Sequence, residues 1–186
     1  MRARRFKKPR NARRVFLVMC EGETERAYIE SLKQEYRLPI AIKTKVSGQN
    51  ISSRLVSQYL RELDLTADDD YEIFYIYDSD VRAIVDKLKT LPGAMILTNP
   101  CIELWFLLHA RVHNRELDSG ATVKMLMSAH QCWRNYSKGF LTKEQIDHLA
   151  AGRALAIERA RMLSWPDNPS SNFHVFIAAL EKEKKG

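Results

Sequence analysis

The chain has 186 residues, which suits one compact domain, and its 45% hydrophobic content is sufficient to bury a core. Its formal net charge of +7 arises from 30 Lys and Arg against 23 Asp and Glu. No stretch approaches the roughly 20 apolar residues of a membrane span, so we exclude a transmembrane protein and expect a cytoplasmic one without a membrane partner.

The N-terminal segment is strongly basic. Residues 1–14, "MRARRFKKPRNARR", contain eight of the 30 basic residues and no acid. Such a segment repels itself and has little apolar surface to pack, so we expect a disordered basic arm. It could bind nucleic-acid phosphates or remain a solvated tail without a defined role. No apolar region typical of a secretory signal precedes Val15.

The segment that follows alternates strands and helices. Its first strand, "VFLVMC" at 15–20, is uniformly apolar, which indicates burial on both faces in a parallel sheet. Short connections between alternating elements favour right-handed crossovers and a mainly parallel four-stranded α/β sheet flanked by helices. The predicted elements are strands at 15–20, 40–46, 71–77 and 94–98 and helices at 23–37, 51–63 and 81–91.

Beyond the fourth strand the pattern becomes helical. "CIELWFLLHA" at 101–110 is apolar on most faces, which predicts a buried helix. Further helices are expected at 121–131, 142–163 and 171–184, with Gly152 as a candidate break and Ser170 or Ser171 as a cap for the last one. We therefore expect a core at 15–110 and a C-terminal helical extension at 111–186 packed on it.

Three carboxylates occupy predicted strand ends. Glu21 follows the first strand, and Asp78 and Asp80 end the third. Ligands of open α/β sheets bind at the carboxyl ends of strands, and the two aspartates would share a face if their strand continued. Ligands that are all oxygen suit Mg²⁺ or Mn²⁺, and a pair of such ions could clamp a phosphodiester under attack.

Other interpretations of "YIYDSDV" remain open. It would suit the nucleophile loop of a haloacid-dehalogenase-like phosphatase, with Asp78 as the nucleophile, or the DxD of a nucleotide-sugar transferase. The phosphatase pattern expects this loop on an early strand, with a later lysine and acidic pair. A structural alternative is that Asp78 and Asp80 cap the helix that begins near Val81, and that Glu21 lies in a surface turn.

A strand that ends in Glu-Gly and a later strand that ends in Asp-x-Asp resemble the Toprim fold of topoisomerases, primases and OLD-type nucleases. Four blocks in order also resemble the RloB-like family, whose members are Toprim-type proteins of bacterial abortive-infection and anti-phage systems. The resemblance extends from Val15 to Leu180. The blocks are "VMCEGETERAYIESL", "YDSD", "TNPCIELWFLLH" and "NPSSNFHVFIAAL".

The resemblance implies a Mg²⁺- or Mn²⁺-dependent nuclease that acts in anti-phage defence, with RNA, including tRNA, favoured over DNA. Glu21 matches the Toprim glutamate, a general base or metal ligand, and Asp78 and Asp80 match the metal-binding DxD. An ATPase partner protein and a homo-oligomer are also expected. The rival hypothesis is a non-catalytic subunit that binds nucleic acid or metal while the partner ATPase carries the activity.

Three further residues are candidates for the same site. Glu25 and Glu103 could add carboxylates to the metal site, or they could stabilise the N-termini of their helices. His109 could donate a proton, although packing near the site explains it as well. His109 and His113 have a zinc-compatible spacing, but the sequence offers no evident third ligand.

A basic loop with aromatic residues is expected at 133–140, "WRNYSKGF". Arg134, Tyr136 and Lys138 could hold a nucleic-acid backbone and stack a base, which contributes about 1–3 kcal/mol per base. The alternative is an ordinary connection between helices. The resemblance favours a catalytic role for Lys138.

The three cysteines, Cys20, Cys101 and Cys132, show no CxxC spacing. We expect them to be reduced, small buried residues and not a disulfide set or a zinc site.

Overall fold

The protein is described by a computed structural model that covers residues 14–66 and 68–185. The predicted disordered arm at 1–14 lies outside these ranges except for Arg14, which forms ion pairs with Glu72 and Glu183. Across the described residues, every helix is too short or too polar to cross a membrane.

The centre of the molecule is a five-stranded sheet with the strand order β2-β1-β3-β4-β5. The first four strands run parallel, and β5 pairs with β4 in the antiparallel direction. The mainly parallel α/β sheet is therefore confirmed, whereas its Toprim identity stays a prediction. The strands are β1 (Val15–Cys20), β2 (Ala41–Val46), β3 (Tyr71–Asp78), β4 (Ala94–Asn99) and β5 (Ser170–Ser171).

The fifth strand was missed because two serines carry no strand pattern. Ser171 also accepts a hydrogen bond from the Phe173 amide at 3.3 Å, as predicted for a helix start. The adjoining Asn172 side chain extends the pairing, since it accepts from the Leu97 amide at 2.7 Å and donates to the Met95 carbonyl at 2.9 Å. A strand of two residues is too short to show periodicity in the sequence.

Seven α-helices were found within the described residues. Each predicted helix has a counterpart, with ends that differ by up to three residues. The predicted boundary between a core at 15–110 and an extension at 111–186 stays a prediction. The helices are α1 (Glu23–Tyr36), α2 (Ser53–Glu62), α3 (Arg82–Leu88), α4 (Ile102–Ala110), α5 (Ser119–Ala129), α6 (Lys143–Arg161) and α7 (Phe173–Lys185), and 3-10 turns lie at Gly48–Asn50 and Gln131–Trp133.

Both faces of the sheet are covered by helices, as the apolar first strand predicted. Phe16 and Val18 belong to a buried cluster with residues of α1 and α4 to α7, whereas Leu17 and Met19 belong to a cluster with α2 and α3. Successive residues of a strand point to opposite faces. A strand between two helical layers therefore has no polar side.

Helix α4 is the most buried helix, and a glycine of α6 allows α6 to approach α4 closely. All residues from Ile102 to His109 are buried. A Cβ on Gly152 would lie 2.8 Å from the carbonyl oxygen of His109, which is closer than real Cβ atoms come. Gly152 does not interrupt α6, so the expected break there was wrong. The glycine instead permits close contact between two helices.

Candidate carboxylate site

Two of the predicted site residues meet at the carboxyl ends of adjacent strands. Pairing between β1 and β3 continues past β1, since the Glu21 amide donates to the Ile76 carbonyl at 3.0 Å. The Asp78 amide in turn donates to Glu21 Oε2 at 2.9 Å. The side chain of one strand end is therefore anchored to the backbone of the other.

The Asp78 side chain also joins the sheet to α4. Its Oδ1 accepts a hydrogen bond at 2.9 Å from the amide of Ile102, the first residue of that helix. A carboxylate at a helix N-terminus interacts favourably with the helix dipole. The helix that follows β3 starts after Val81 without a side-chain cap. The alternative that Asp78 and Asp80 cap that helix was therefore wrong.

The carboxylates face a cavity of about 300 Å³. Four predicted metal ligands and the predicted lysine share its wall, together with a glutamate, a threonine and two glycines that were not predicted. The lining residues are Glu21, Gly22, Glu23, Thr24, Glu25, Asp78, Glu103, Lys138 and Gly139.

Glu103 is the most buried acid of the cavity, with an exposed fraction of 0%. Its Oε1 accepts a hydrogen bond from the Tyr136 hydroxyl at 2.8 Å and lies 3.5 Å from Lys138 Nζ. Its Oε2 is buried and has no hydrogen-bond partner within the described part of the chain. A buried carboxylate oxygen without a partner is costly, and a cation could satisfy it.

The segment between Gln131–Trp133 and α6 closes this cavity. The Gly139 amide donates to the Thr24 hydroxyl at 2.8 Å, which joins the segment to the first turn of α1. Gly139 has a φ of +86°, and a Cβ there would lie 3.3 Å from the Glu23 side chain. Glycine therefore suits this position, because residues with side chains rarely adopt a positive φ. The neighbouring Lys138 lines the cavity with the acids.

Glu25 stabilises the start of its helix, as one of its two predicted roles requires, and its role as a metal ligand stays a prediction. It lines the cavity, and its Oε2 accepts a hydrogen bond from the Gly22 amide at 2.8 Å at the start of α1. That bond satisfies one of the free amides at the helix N-terminus.

Burial and mutual repulsion perturb the acids. Burial, followed by the charges of Glu25, Glu21 and Glu103, raises the pKa of Asp78 to about 9. Burial also raises the pKa of Glu25 to about 7 and moves that of Glu21 above its ordinary value. Burial alone would lower the pKa of Lys138, but Glu103 and its neighbours raise it. The carboxyl groups of the cavity are therefore difficult to ionise together, and a bound cation would offset their mutual repulsion.

Asp80 does not join this cavity. Strand β3 ends at Asp78, so the alternation that would have placed both aspartates on one face stops there. Asp80 is exposed and lines a separate cleft beside residues 116–120. Its charge still contributes to the raised pKa of Glu21, so it lies at the margin of the site.

The cavity acids are near one another without forming a finished coordination sphere. Across residues 14–66 and 68–185, no three of these carboxylates have oxygen atoms that all lie within 4.8 Å of one another. Oxygen ligands of Mg²⁺ lie about 2.0–2.1 Å from the ion, so three of them require closer approach. The donor chemistry and the unpartnered Glu103 oxygen fit a hard divalent ion, and binding requires side-chain rotation.

The structure does not bring the histidine candidates to the cavity. His109 is buried between α4 and α6, where its Nδ1 donates to the Trp105 carbonyl at 2.8 Å. Burial lowers the pKa of His109 to about 3, so the ring is neutral. His113 is half-buried and contacts the Arg115 carbonyl. Packing thus accounts for His109 better than proton donation does.

The aromatic residues of the 133–140 loop are mostly unavailable to a ligand. Trp133 and Tyr136 are buried, whereas Arg134 is exposed. The aromatic side chain that reaches solvent is Phe140, which is 65% exposed and was not singled out from the sequence. Its position two residues after Lys138, in a loop predicted to be basic and aromatic, could have identified it from the sequence.

Comparison with known families gives one result. A model of the family described as "RloB-like protein" matches residues 16–180, which is most of the chain. No curated protein and no solved structure matches.

Proposed function

The chain belongs to the RloB-like family, and from this premise we propose that it is a Mg²⁺- or Mn²⁺-dependent nuclease of the Toprim type. The observation that carries the proposal is the cavity at the ends of β1 and β3, which is lined by five acids and one lysine. Such crowding is typical of sites that hold a cation.

Asp78, Glu103 and Glu21 would hold the ion, with Glu25 beside them and Asp80 at the margin. When bound, the ion supplies Lewis-acid polarisation of the phosphodiester and lowers the pKa of a bound water. Asp78 and Glu103 suit the role of ligands because both carboxylates are largely buried, and Glu103 retains a free oxygen.

As an alternative to binding the ion, Glu21 suits the role of the group that accepts a proton. It lines the cavity, and its Oε2 is oriented by the Asp78 amide. Burial raises the pKa of Glu21 above its ordinary value. The pKa is thereby closer to neutral pH, and a general base works best when its pKa is near the working pH.

Lys138 suits the role of the phosphate ligand. Its side chain is 58% exposed, and its ammonium group lies 3.5 Å from the fully buried Glu103. A cation at this position can contact a non-bridging phosphate oxygen and offset the negative charge that develops there. Closure of the loop through Gly139 keeps that ammonium group over the acids.

Cleavage assays test the proposal directly. The purified chain is incubated with RNA, tRNA, single-stranded DNA or duplex DNA, with Mn²⁺ or with a chelator. We expect metal-dependent cleavage, its loss in Glu21→Gln, and its retention in Glu158→Gln, a control at an exposed position of α6. Absence of cleavage of all four substrates, or full activity of Glu21→Gln, would contradict the proposal.

The wide spacing of the carboxylate oxygens favours a second candidate function. A non-catalytic subunit that binds nucleic acid or metal needs no finished coordination sphere. This candidate predicts that the chain binds nucleic acid equally well before and after Glu21→Gln. It also predicts no metal-dependent cleavage, whether the ATPase partner is present or absent.

A haloacid-dehalogenase-like phosphatase has weaker support. Its nucleophile would be Asp78, but this pattern places the nucleophile loop on an early strand, whereas Asp78 ends the third strand, β3. Hydrolysis of a small phosphomonoester, abolished by Asp78→Asn, would revive this candidate.

The biological setting of the proposal rests on the family resemblance. This setting includes a preference for RNA, including tRNA, and a role in anti-phage defence. It also includes an ATPase partner and a homo-oligomer. A cell that carries the gene pair should resist phage, and Glu21→Gln should abolish the resistance while the protein remains present.

A further inference from the structure

A second group of side chains with metal-binding chemistry lies outside the carboxylate cavity. His130, Cys132 and His148 each offer a ligand atom, and these three atoms all lie within 4.8 Å of one another. No other such group of three is found across residues 14–66 and 68–185. His130 precedes the 3-10 turn at Gln131–Trp133, Cys132 lies within that turn, and His148 belongs to α6.

One distance within this group is close to that between two ligands of a tetrahedral site. His130 Nδ1 lies 3.1 Å from Cys132 Sγ, and the ligands of one zinc ion, bound at about 2.0–2.3 Å, lie about 3.3–3.8 Å apart. The imidazole rings of His130 and His148 are stacked, with centroids 4.4 Å apart and planes at 24°. Parallel lone pairs do not converge, so one ring must turn for both to bind an ion.

One nitrogen of the group has no other role. His148 Nε2 is buried and has no hydrogen-bond partner in the described part of the chain. A buried polar nitrogen without a partner carries a desolvation cost. His130 is exposed, so the group is open to solvent on one side and water can occupy a fourth position.

We propose that His130, Cys132 and His148 form a site for a thiophilic transition-metal ion, with Zn²⁺ as the expected occupant. Two imidazoles and one thiolate are soft and borderline ligands, which select Zn²⁺ over Mg²⁺. This site is therefore chemically distinct from the carboxylate cavity and does not depend on the function of that cavity.

The ion would fasten the 3-10 turn at Gln131–Trp133 to α6. Gln145 of that helix already donates to the Cys132 carbonyl at 3.0 Å, and a metal bridge between Cys132 and His148 would add a second link. The intervening residues include Lys138, which lines the carboxylate cavity. If the proposed nuclease function holds, Zn²⁺ would also steady the segment that closes its site.

Cobalt substitution tests the site through a signal that requires sulfur. The full-length chain is freed of metal with a chelator, dialysed and titrated with Co²⁺. We expect a thiolate-to-cobalt charge-transfer band that saturates at one equivalent and disappears when Zn²⁺ is added. The band should be lost in Cys132→Ser and in His148→Gln and kept in His113→Gln, a control at a histidine outside the proposed site.

Further variants separate this site from the carboxylates and from misfolding. Glu21→Gln should keep the band, because no carboxylate is part of the site. Circular dichroism shows whether each variant is folded, and if Cys132→Ser is not, His130→Gln replaces it. No band in the wild-type chain, or a band that persists in folded Cys132→Ser or folded His130→Gln, would overturn the proposal.

Discussion

Replacement of Asp78 by asparagine tests whether this crowded carboxylate carries a proton at neutral pH. Asparagine keeps an oxygen that can accept the Ile102 amide, and it removes the titration. The pKa of Asp78 is about 9 in the folded protein and 3.8 as an ordinary aspartate. Its favourable contribution to stability is therefore fully present below the lower value and is lost as the pH rises through the upper one.

The expected size of the effect follows from this window. With one proton released on unfolding, each pH unit costs about 1.4 kcal/mol, so a rise from about pH 5 to about pH 7 removes at most about 3 kcal/mol. A chain of this length shifts its Tm by about 2–4 °C per kcal/mol. The metal-free wild-type protein should therefore melt about 6–12 °C lower at the higher pH.

Thermal unfolding followed by circular dichroism, in the presence of a chelator, measures this slope. Asp78→Asn should reduce it strongly, and Glu25, whose pKa is about 7, should account for part of what remains. Asp80→Asn is the matched control, because Asp80 is exposed and lies outside the cavity. An equal slope in wild type and Asp78→Asn would refute the reasoning.

Three other changes have outcomes set by single contacts. Tyr136→Phe removes the hydroxyl that donates to the buried Glu103, so the free energy of unfolding in chelator should fall by about 1.5–3 kcal/mol; an unchanged urea midpoint would show that the bond contributes nothing. Gly152→Ala places a methyl group against the His109 carbonyl and should cost about 1–3 kcal/mol; a higher Tm would contradict the close contact. Phe140→Ala should leave Tm unchanged, because the ring is 65% exposed, but should weaken binding of single-stranded nucleic acid by about 1–3 kcal/mol in a filter or anisotropy assay. Equal binding would exclude stacking on this ring.

The first half of the fold could be predicted because local patterns determine it. An uninterrupted apolar run such as β1 is stable only between two layers, and alternation with short connections leaves few topologies besides a parallel sheet. The fifth strand could not be predicted in this way. It depends on Asn172, whose side chain bonds the backbone of β4 from a position 75 residues away from Leu97.

The carboxylate site could be predicted in part for the same reason. Neighbouring parallel strands necessarily bring Glu21 and Asp78 to one edge of the sheet. The position of Asp80 depends on the residue at which β3 ends, and the sequence pattern does not predict that residue. The burial of Glu103 and its bond with Tyr136 depend on long-range packing, which periodicity does not encode.

The group at His130, Cys132 and His148 was missed for a related reason. The two histidines are neighbours only because the turn after α5 packs on α6, and the sequence spacing of the three residues matches no common zinc motif. The expectation that the cysteines are not a zinc site rested on their odd number and on the absence of CxxC spacing.

The bond between Gly139 and Thr24 joins residues that are 115 positions apart, and this separation has a consequence for synthesis on the ribosome. Strands β1 to β4 can pair as soon as they emerge, but the wall over Glu103 waits for a much later segment. A nascent chain halted before Tyr136 would have its acids open to water. If the proposed nuclease function holds, such an unfinished chain would also lack Lys138, the cation that lines the cavity.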